Sequence, residues 1–514
     1  MKARATLVLL FILAGMIALA LFARRAHDAA PTSDIAVIES DTLLASQGRL
    51  LLGPYSRFQW HHPGPLSFYW LAPFYAAAGH RTTGLNAGAL ALNAGCLALI
   101  AWILVRRAHP VVTIAVTSAA AVYAWRSAEL LTSPWNPHIA VIPMMTLIVA
   151  AADAASGAPG MLPVVALLAS FAGQTHVALL PSAVIVGACA VLGVIVGNDP
   201  RRMSAPLVAT LAALALCWLP PVIEQLASPR GNIGLLWSFF VRETHPRPLF
   251  AVAVSAWSDM LTGLVRPDFY VAHGWIFRES PVRWAELLSI VQFAALAVWL
   301  VAAYRARRRF ELTLAAILVV AGLTALWSTT RVDGEIFDHG VFWISGLGVL
   351  NLALLAALAA GAGLKRQPVA AASSRWPAVA AVALTGIAAI AGVRQFRGAA
   401  AEASNPGADS GVVAAVAADL RTYLREQHIE RPLIKLDQDA WGMAAGVILQ
   451  LQKANVPLAV EDDWIVMFTP VFAATGHEAV TLTIAGRDQH LRMQGGADAK
   501  VAVAHDPIYV HVSR

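Results

Sequence analysis

Runs of mostly apolar residues, each long enough to cross a bilayer, recur along the first three quarters of this chain and decide its class before any motif is read. They lie near 6–22, 84–105, 110–126, 137–153, 161–177, 178–197, 205–222, 285–304, 311–328, 341–362 and 376–393. A helix needs roughly 20 apolar residues to span the hydrocarbon core, so the sequence predicts an α-helical polytopic membrane protein of about 11 spans. Composition agrees. Of the 514 residues, 58% are hydrophobic and 13% charged, against about 45–50% and about 25% in ordinary soluble domains. A water-soluble enzyme of this length is excluded.

The first run follows Met1-Lys2-Ala3-Arg4 and resembles a signal peptide in charge, but it exceeds the roughly 7–15 residues of a signal core. It is therefore predicted to be a retained anchor. With the N-terminus inside, the cytoplasmic loops hold Lys2/Arg4, Arg106/Arg107, Arg201/Arg202, Arg305 with Arg307–Arg309, and Lys365/Arg366. That is the positive-inside pattern. Arg24 and Arg25 break it, and would suit lipid headgroups or a lipid phosphate. The net charge of +6 is thus spent on topology and not gathered on one basic face, so no nucleic-acid partner is expected. Cys96, Cys189 and Cys217 all sit in apolar runs and form no disulfide framework or zinc spacing.

Two long outer loops follow from this count, at 23–83 and 223–284, within a membrane domain spanning 1–397. Beyond it, 398–514 reads as a small extracytoplasmic α/β domain. Strand-like runs at 432–436, 456–460, 480–484, 501–503 and 509–512 alternate with helical stretches at 412–426 and 442–454, after an Ala/Gly/Ser/Pro linker at 399–411. In the first loop, Ser33–Ala45 is predicted as a helix lying along the membrane and Pro65–Ala78 as a second helix. The Gly/Pro-punctuated run 53–65 between them cannot be regular helix.

The two faces differ in chemistry. Inner loops offer mainly Arg and Lys, whereas the outer ones hold carboxylates, imidazoles and amides. These include Asp34, Glu39, Asp41, His61, His62, Arg126, Glu129, Asn136, His138, Gln174, His176, Arg242, Glu243, His245, Asp333, Glu335, Asp338 and His339. Singly, each suits a wet loop. As a set near span ends, they indicate a site at the outer rim. No phosphate-binding P-loop, dinucleotide fingerprint or nucleophile elbow is present, and nucleotide donors are cytoplasmic. Outer-face chemistry then points to a lipid-borne substrate.

The runs Gly53-Pro54-Tyr55-Ser56-Arg57, Trp60, His62-Pro63-Gly64-Pro65 and Phe68-Tyr69, with Pro134-Trp135-Asn136-Pro137 and Gln174-Thr175-His176, resemble bacterial members of the GT-C superfamily. These are the polyprenyl-phosphate-sugar-dependent glycosyltransferases, among them protein O-mannosyltransferases and aminoarabinose transferases. The spans, outer loops and outer C-terminal domain resemble that architecture too. The resemblance implies an enzyme of the bacterial inner membrane with its N-terminus cytoplasmic and its C-terminal domain outside. It implies transfer of a sugar from a polyprenyl-phosphate donor to a glycan, lipid or protein acceptor, with membrane lipids as further partners. One departure is that many members pair Asp-Glu or Asp-x-Asp in the first loop, whereas Asp34 stands apart from Glu39 and Asp41 here.

Such a transfer needs a carboxylate base, positive charge on the departing phosphate and a lipid-lined groove. Asp34 is the first choice for base, with N-capping of the following helix as its structural alternative. Asp41, seven residues on, shares a helical face with it. Glu39 is the better second carboxylate by resemblance. Arg57, Arg126 and Arg242 are the phosphate candidates. His61, His62, His138 and His176 are substrate-binding candidates, and His61, His62 or His245 could hold a divalent metal ion with a carboxylate, or serve as hydrogen-bonded structural histidines. Trp60, Trp135 and Trp441 could stack on sugar. The loops 437–441 and 461–464 follow strands and could meet an acceptor, or simply cap helices. A transporter or flippase of lipid-linked glycans is the main rival class, but its ionisable groups would lie near span centres, which here are nearly free of charge. A ligand-binding sensor or assembly protein is the third reading.

Overall fold

The computed structural model describes residues 23, 28–197, 204–277, 283–361, 376–404, 407–494 and 500–513. The expected span at 6–22 and the basic residues Lys2, Arg4, Arg24, Arg25, Arg201, Arg202, Lys365 and Arg366 lie outside them. The fold is a polytopic membrane fold of helices with a small C-terminal sheet. Its longer helices are α1 (Ser33–Ser46), α2 (Leu66–Ala77), α3 (Thr82–Arg107), α4 (Pro110–Arg126), α5 (Val141–Ala155), α6 (Leu162–Thr175), α7 (Leu180–Gly197) and α8 (Ser204–Ala227). These continue with α9 (Phe250–Thr262), α10 (Arg283–Arg305), α11 (Arg309–Thr329), α12 (Ile344–Ala359) and α13 (Trp376–Ser404). Each predicted span from 84–105 onward has a helix over it.

Among the described residues, seven helices are long and apolar enough to cross a membrane. Burial sorts them. The stretch Asn136–Ala155 is 94% buried and forms the centre of its unit, whereas Ser204–Ala227 is only 11% buried. Its exposed side chains include Leu211, Leu216 and Leu219. An apolar surface of that extent has lipid as its natural solvent. Local signals set the ends: His109 caps α4, its Nδ1 accepting from the Val111 amide at 3.2 Å, with Pro110 in the first helical position. At the same end of the helices, Arg107 pairs with the buried Asp153 at 2.6 Å, and the Glu311 carboxylate accepts from the His109 amide at 2.7 Å.

The chain clusters into two compact units, one of residues 1–61, 68–88 and 396–514, the other of 62–67 and 89–395. The first contains an α/β fold of α14 (Ala408–Glu426), β1 (Leu433–Leu436), α15 (Trp441–Lys453), β2 (Ala459–Val460), β3 (Thr481–Ala485), α16 (Arg487–Gln494), β4 (Lys500–His505) and β5 (Ile508–Ser513). The sheet order is β2-β1-β3-β5-β4. β1 runs parallel to β2 and β3, and β5 is antiparallel to both β3 and β4.

Three features differ from the sequence reading. Residues Ala36–Ala45 of α1 are buried against neighbours that include α15, where the sequence suggested only a helix lying along the membrane. The predicted outer loop 223–284 contains the apolar helix α9, of which Ser255–Thr262 are buried. The supposed linker at 399–411 is largely helical, because α13 runs on to Ser404 and α14 begins at Ala408.

Candidate functional site

In the first unit the three first-loop carboxylates of α1 have three different environments. Asp34 sits in the helix's first turn, where Thr32 occupies the capping position, and is half-buried. Its Oδ1 accepts a hydrogen bond from the Tyr55 hydroxyl. Tyr55 is delivered by a tight reversal of the Gly/Pro-rich run, in which Tyr55 bridges His61 and the Ser56 amide donates to the Trp60 carbonyl at 2.9 Å. Gln59 adopts a left-handed φ of 63° at the tip. Asp41, two turns on, is 2% exposed, and its Oδ1 has no hydrogen-bond partner among the described residues. Burial alone drives its pKa well above the usual carboxylate range. Both Asp34 and Asp41 act electrostatically on Tyr55, whose hydroxyl is held protonated mainly by burial. This is the geometry that seven-residue spacing on a helix provides.

Glu39 looks elsewhere. It is fully buried and accepts from Tyr75 Oη at 2.9 Å, Thr82 Oγ1 at 2.6 Å and Lys453 Nζ at 2.9 Å. Lys453 also pairs with Asp28 at 2.7 Å. Burial raises the Glu39 pKa, with Lys453 and Thr82 pulling the other way. Burial also works against the Lys453 charge, but the two carboxylates outweigh it and hold its pKa above the usual value. His61 is buried, and that burial lowers its pKa to about 4 against a hydrogen bond with the Val466 backbone, so it is a neutral imidazole at ordinary pH. Arg57 is exposed, its guanidinium 4.8 Å over the Phe58 ring.

In the second unit, two of the motif runs meet. His62 Nδ1 accepts from the Val177 amide at 3.0 Å, its ring lies 4.5 Å from that of His176, and His176 in turn accepts from the Ala178 amide. The run 62–65 thus packs against the helix break after Thr175. Gly64 is required there by close approach, since a Cβ would stand 2.4 Å from Gln174 Oε1. Gln174 itself donates to the Cys217 carbonyl at 2.8 Å, and the His62 carbonyl accepts from Asn232.

His138 and Arg126 both hold the segment 264–272. His138 Nε2 lies 2.8 Å from the Ala272 carbonyl and Nδ1 2.9 Å from Ser133 Oγ. Arg126, though exposed, donates to the Leu264 carbonyl at 2.6 Å and to that of Arg266. Trp135 stands edge-on to His138 at 4.8 Å and 5.4 Å from His339. Asp338 accepts from the amides of His273, Gly274 and His339. Beside them a cavity of about 180 Å³ is lined by Asp259, Arg266, Tyr270 and Asp338, among others. Arg266 joins Asp259 at 3.0 Å to Asp268 at 2.6 Å. Arg242 is exposed at the end of the helical segment Ser238–Arg242. His245 faces Asp333 at 3.3 Å and the Phe239 carbonyl at 2.8 Å.

Among the described residues, no group of three or more His, Cys, Asp or Glu side chains is arranged to hold a metal ion. His62 and His138 use ring nitrogens on backbone or hydroxyl partners, and His245 faces a carbonyl and a carboxylate. In the C-terminal fold, Asp437 accepts from the Gly486 amide and Glu461 from that of Leu436, so each of these loops uses a carboxylate on the backbone at the end of a neighbouring strand. The sequence reading did not single out Tyr55, Lys453 or the Asp259–Arg266 pair. Only Tyr55 carried a signal, its place in the motif run.

No known family profile matches the sequence, and no curated protein matches it. Among solved structures, ArnT from Cupriavidus metallidurans bound to undecaprenyl phosphate is 13% identical, with a TM-score of 0.54, over 99% of this chain and 98% of that one. The apo state of the same protein gives 12% identity and a TM-score of 0.43 over the same shares. The undecaprenyl-phosphate-bound structure carries the comparison: over nearly its whole length, this chain has the polytopic membrane fold of ArnT.

Proposed function

We propose that this protein is a GT-C-type glycosyltransferase that moves a sugar from a polyprenyl-phosphate donor to an envelope acceptor at the outer face of the bacterial inner membrane. In this reading its N-terminus is cytoplasmic and the fold formed by 398–514 is extracytoplasmic. The observation that carries the reading is the Asp34 carboxylate, half-buried and held by the Tyr55 hydroxyl, in a chain whose fold is that of a protein bound to undecaprenyl phosphate.

The three carboxylates divide by environment. Asp41 is buried, and that burial raises its pKa well above the usual carboxylate range, favouring the protonated form, which already carries the proton a base would have to take. Glu39 is enclosed by three donors. Asp34 alone is partly open to a substrate. Tyr55 fixes one oxygen of its carboxylate, leaving the other to take the proton of an acceptor hydroxyl. That hydroxyl oxygen bonds to the anomeric carbon as the bond from that carbon to the phosphate oxygen breaks, and the pair of electrons leaves with the polyprenyl phosphate. A guanidinium offsets the charge the phosphate keeps. Arg57, exposed and in the same compact unit as Asp34, is the candidate for that role, while Arg126 gives donors to backbone carbonyls.

The test is reconstitution in proteoliposomes with a panel of undecaprenyl-phosphate hexoses and pentoses and solubilised envelope material as acceptor. Release of undecaprenyl phosphate with one donor, lost in Asp34→Asn, supports the reading. Turnover of a nucleotide sugar with no lipid donor present overturns it.

A further inference from the structure

Resting on the reading of Asp34 as the base, we propose that Lys453 is a positioning residue, through which the C-terminal α/β fold sets the register of the helix that bears Asp34. Helices α1 and α15 run side by side, in the same direction, within one compact unit. At the Asp34 end the contact is made close by glycine. A Cβ on Gly442 would stand 2.5 Å from Ser33 Oγ, and one on Gly446 would stand 2.5 Å from the Pro31 carbonyl oxygen. About two turns further along α1, Ser40 Oγ donates to Gln452 Oε1 at 2.7 Å, and Lys453 reaches both Glu39 and Asp28. Tyr75 and Thr82 close on the same Glu39 carboxylate. One lysine from the C-terminal fold therefore joins the entry to α1 and α1 itself, and the Glu39 carboxylate it holds also meets Thr82 at the start of α3.

A buried ion pair is a weak source of net stability, because desolvation offsets attraction; its best-attested use is to specify register. Here the register matters because Asp34 is five positions before Glu39 on the same helix. A misplacement of about 1 Å at a reacting group can cost 10²-fold in rate. Lys453 touches no reacting atom; it acts through Glu39 and α1.

The same seam supplies its own test. A Cβ built on Gly442 lies 3.5 Å from the Ser33 Cβ, at the short end of the roughly 3.5–4.5 Å range that disulfides take. In the full-length protein, Lys453→Met is expected to lower kcat about tenfold or more, with KM for an undecaprenyl-phosphate sugar within about twofold. Adding Ser33→Cys and Gly442→Cys and oxidising the pair is expected to restore most of that kcat, and reduction to remove it again. In the Lys453 background the oxidised pair should leave kcat unchanged. If Lys453→Met does not accumulate in membranes, Glu39→Gln with Lys453→Met removes both charges and takes its place in the comparison. A cross-linked variant as slow as its reduced form overturns the proposal, as does a cross-link that stops the Lys453 enzyme. An active parent enzyme whose Lys453→Met form keeps its kcat overturns it alone. A parent enzyme inactive on every polyprenyl-phosphate sugar overturns the functional reading as well.

Discussion

The Tyr55 hydroxyl donates to Oδ1 of Asp34, joining two residues 21 positions apart. The contact converts a Gly/Pro-rich loop and a helix start into one local arrangement. It leaves the carboxylate ordered at one oxygen and, in the proposed reaction, free at the other. Tyr55→Phe removes the hydroxyl and keeps the ring. The expected result is a kcat about tenfold lower, equivalent to about 1.4 kcal/mol of lost orientation, with donor KM little changed and the protein folded normally. Steady-state kinetics in proteoliposomes check it; an unchanged kcat would mean the contact is only structural.

Asp41 gives a pH signature. Its folded pKa lies well above the usual value because of burial, so the folded state holds a proton that the unfolded state releases. Stability from this group is fully present below the unfolded pKa of about 4 and falls as pH rises toward the folded value. The groups facing it are Tyr55 and, through Tyr55, Asp34. Asp41→Asn should therefore raise the thermal midpoint at pH 7 to 8, with a smaller effect near pH 4. A destabilised variant at pH 8 would show that Asp41 is ionised and paired in the folded protein.

Gly64 is predicted to tolerate no side chain. The Gly64→Ala methyl would meet Gln174 Oε1 at 2.4 Å, and Gln174 is held by its bond to the Cys217 carbonyl. The expected cost is about 1–3 kcal/mol, as for other overpacked interiors, read as a lowered thermal midpoint in detergent. Gln174→Ala in the same chain should recover part of it. An alanine at 64 with no effect would mean that Gln174 moves aside freely.

Much of this was legible in the sequence, and the reasons are physical. A span must be apolar over about 20 residues, so helices such as α3 and α11 were readable within a few positions. The strands of the C-terminal fold were readable from short β-branched runs bounded by turn residues. The seven-residue spacing of Asp34 and Asp41 was enough to put both beside one tyrosine. Helix α9 was missed because its apolar run, 13 residues with Asp259 inside it, is too short for a span signal. The helical continuation of α13 was missed because alanine, the best helix former, shares its 399–411 stretch with the glycine, serine and proline of a linker. The role of Glu39 was illegible for another reason. Its partners Tyr75, Thr82 and Lys453 lie 36, 43 and 414 positions away, and no local pattern encodes such a meeting.

Asp34 is proposed as the proton acceptor in sugar transfer from a polyprenyl phosphate. The most direct measurement is release of undecaprenyl phosphate by reconstituted Asp34→Asn protein beside the unmodified chain, on the undecaprenyl-phosphate sugar the latter uses. Asparagine keeps the size and can still accept from Tyr55, but it cannot take a proton. The expected result is a folded, membrane-inserted variant with turnover lower by about 10²-fold or more. An Asp34→Asn protein with near-normal turnover would contradict it.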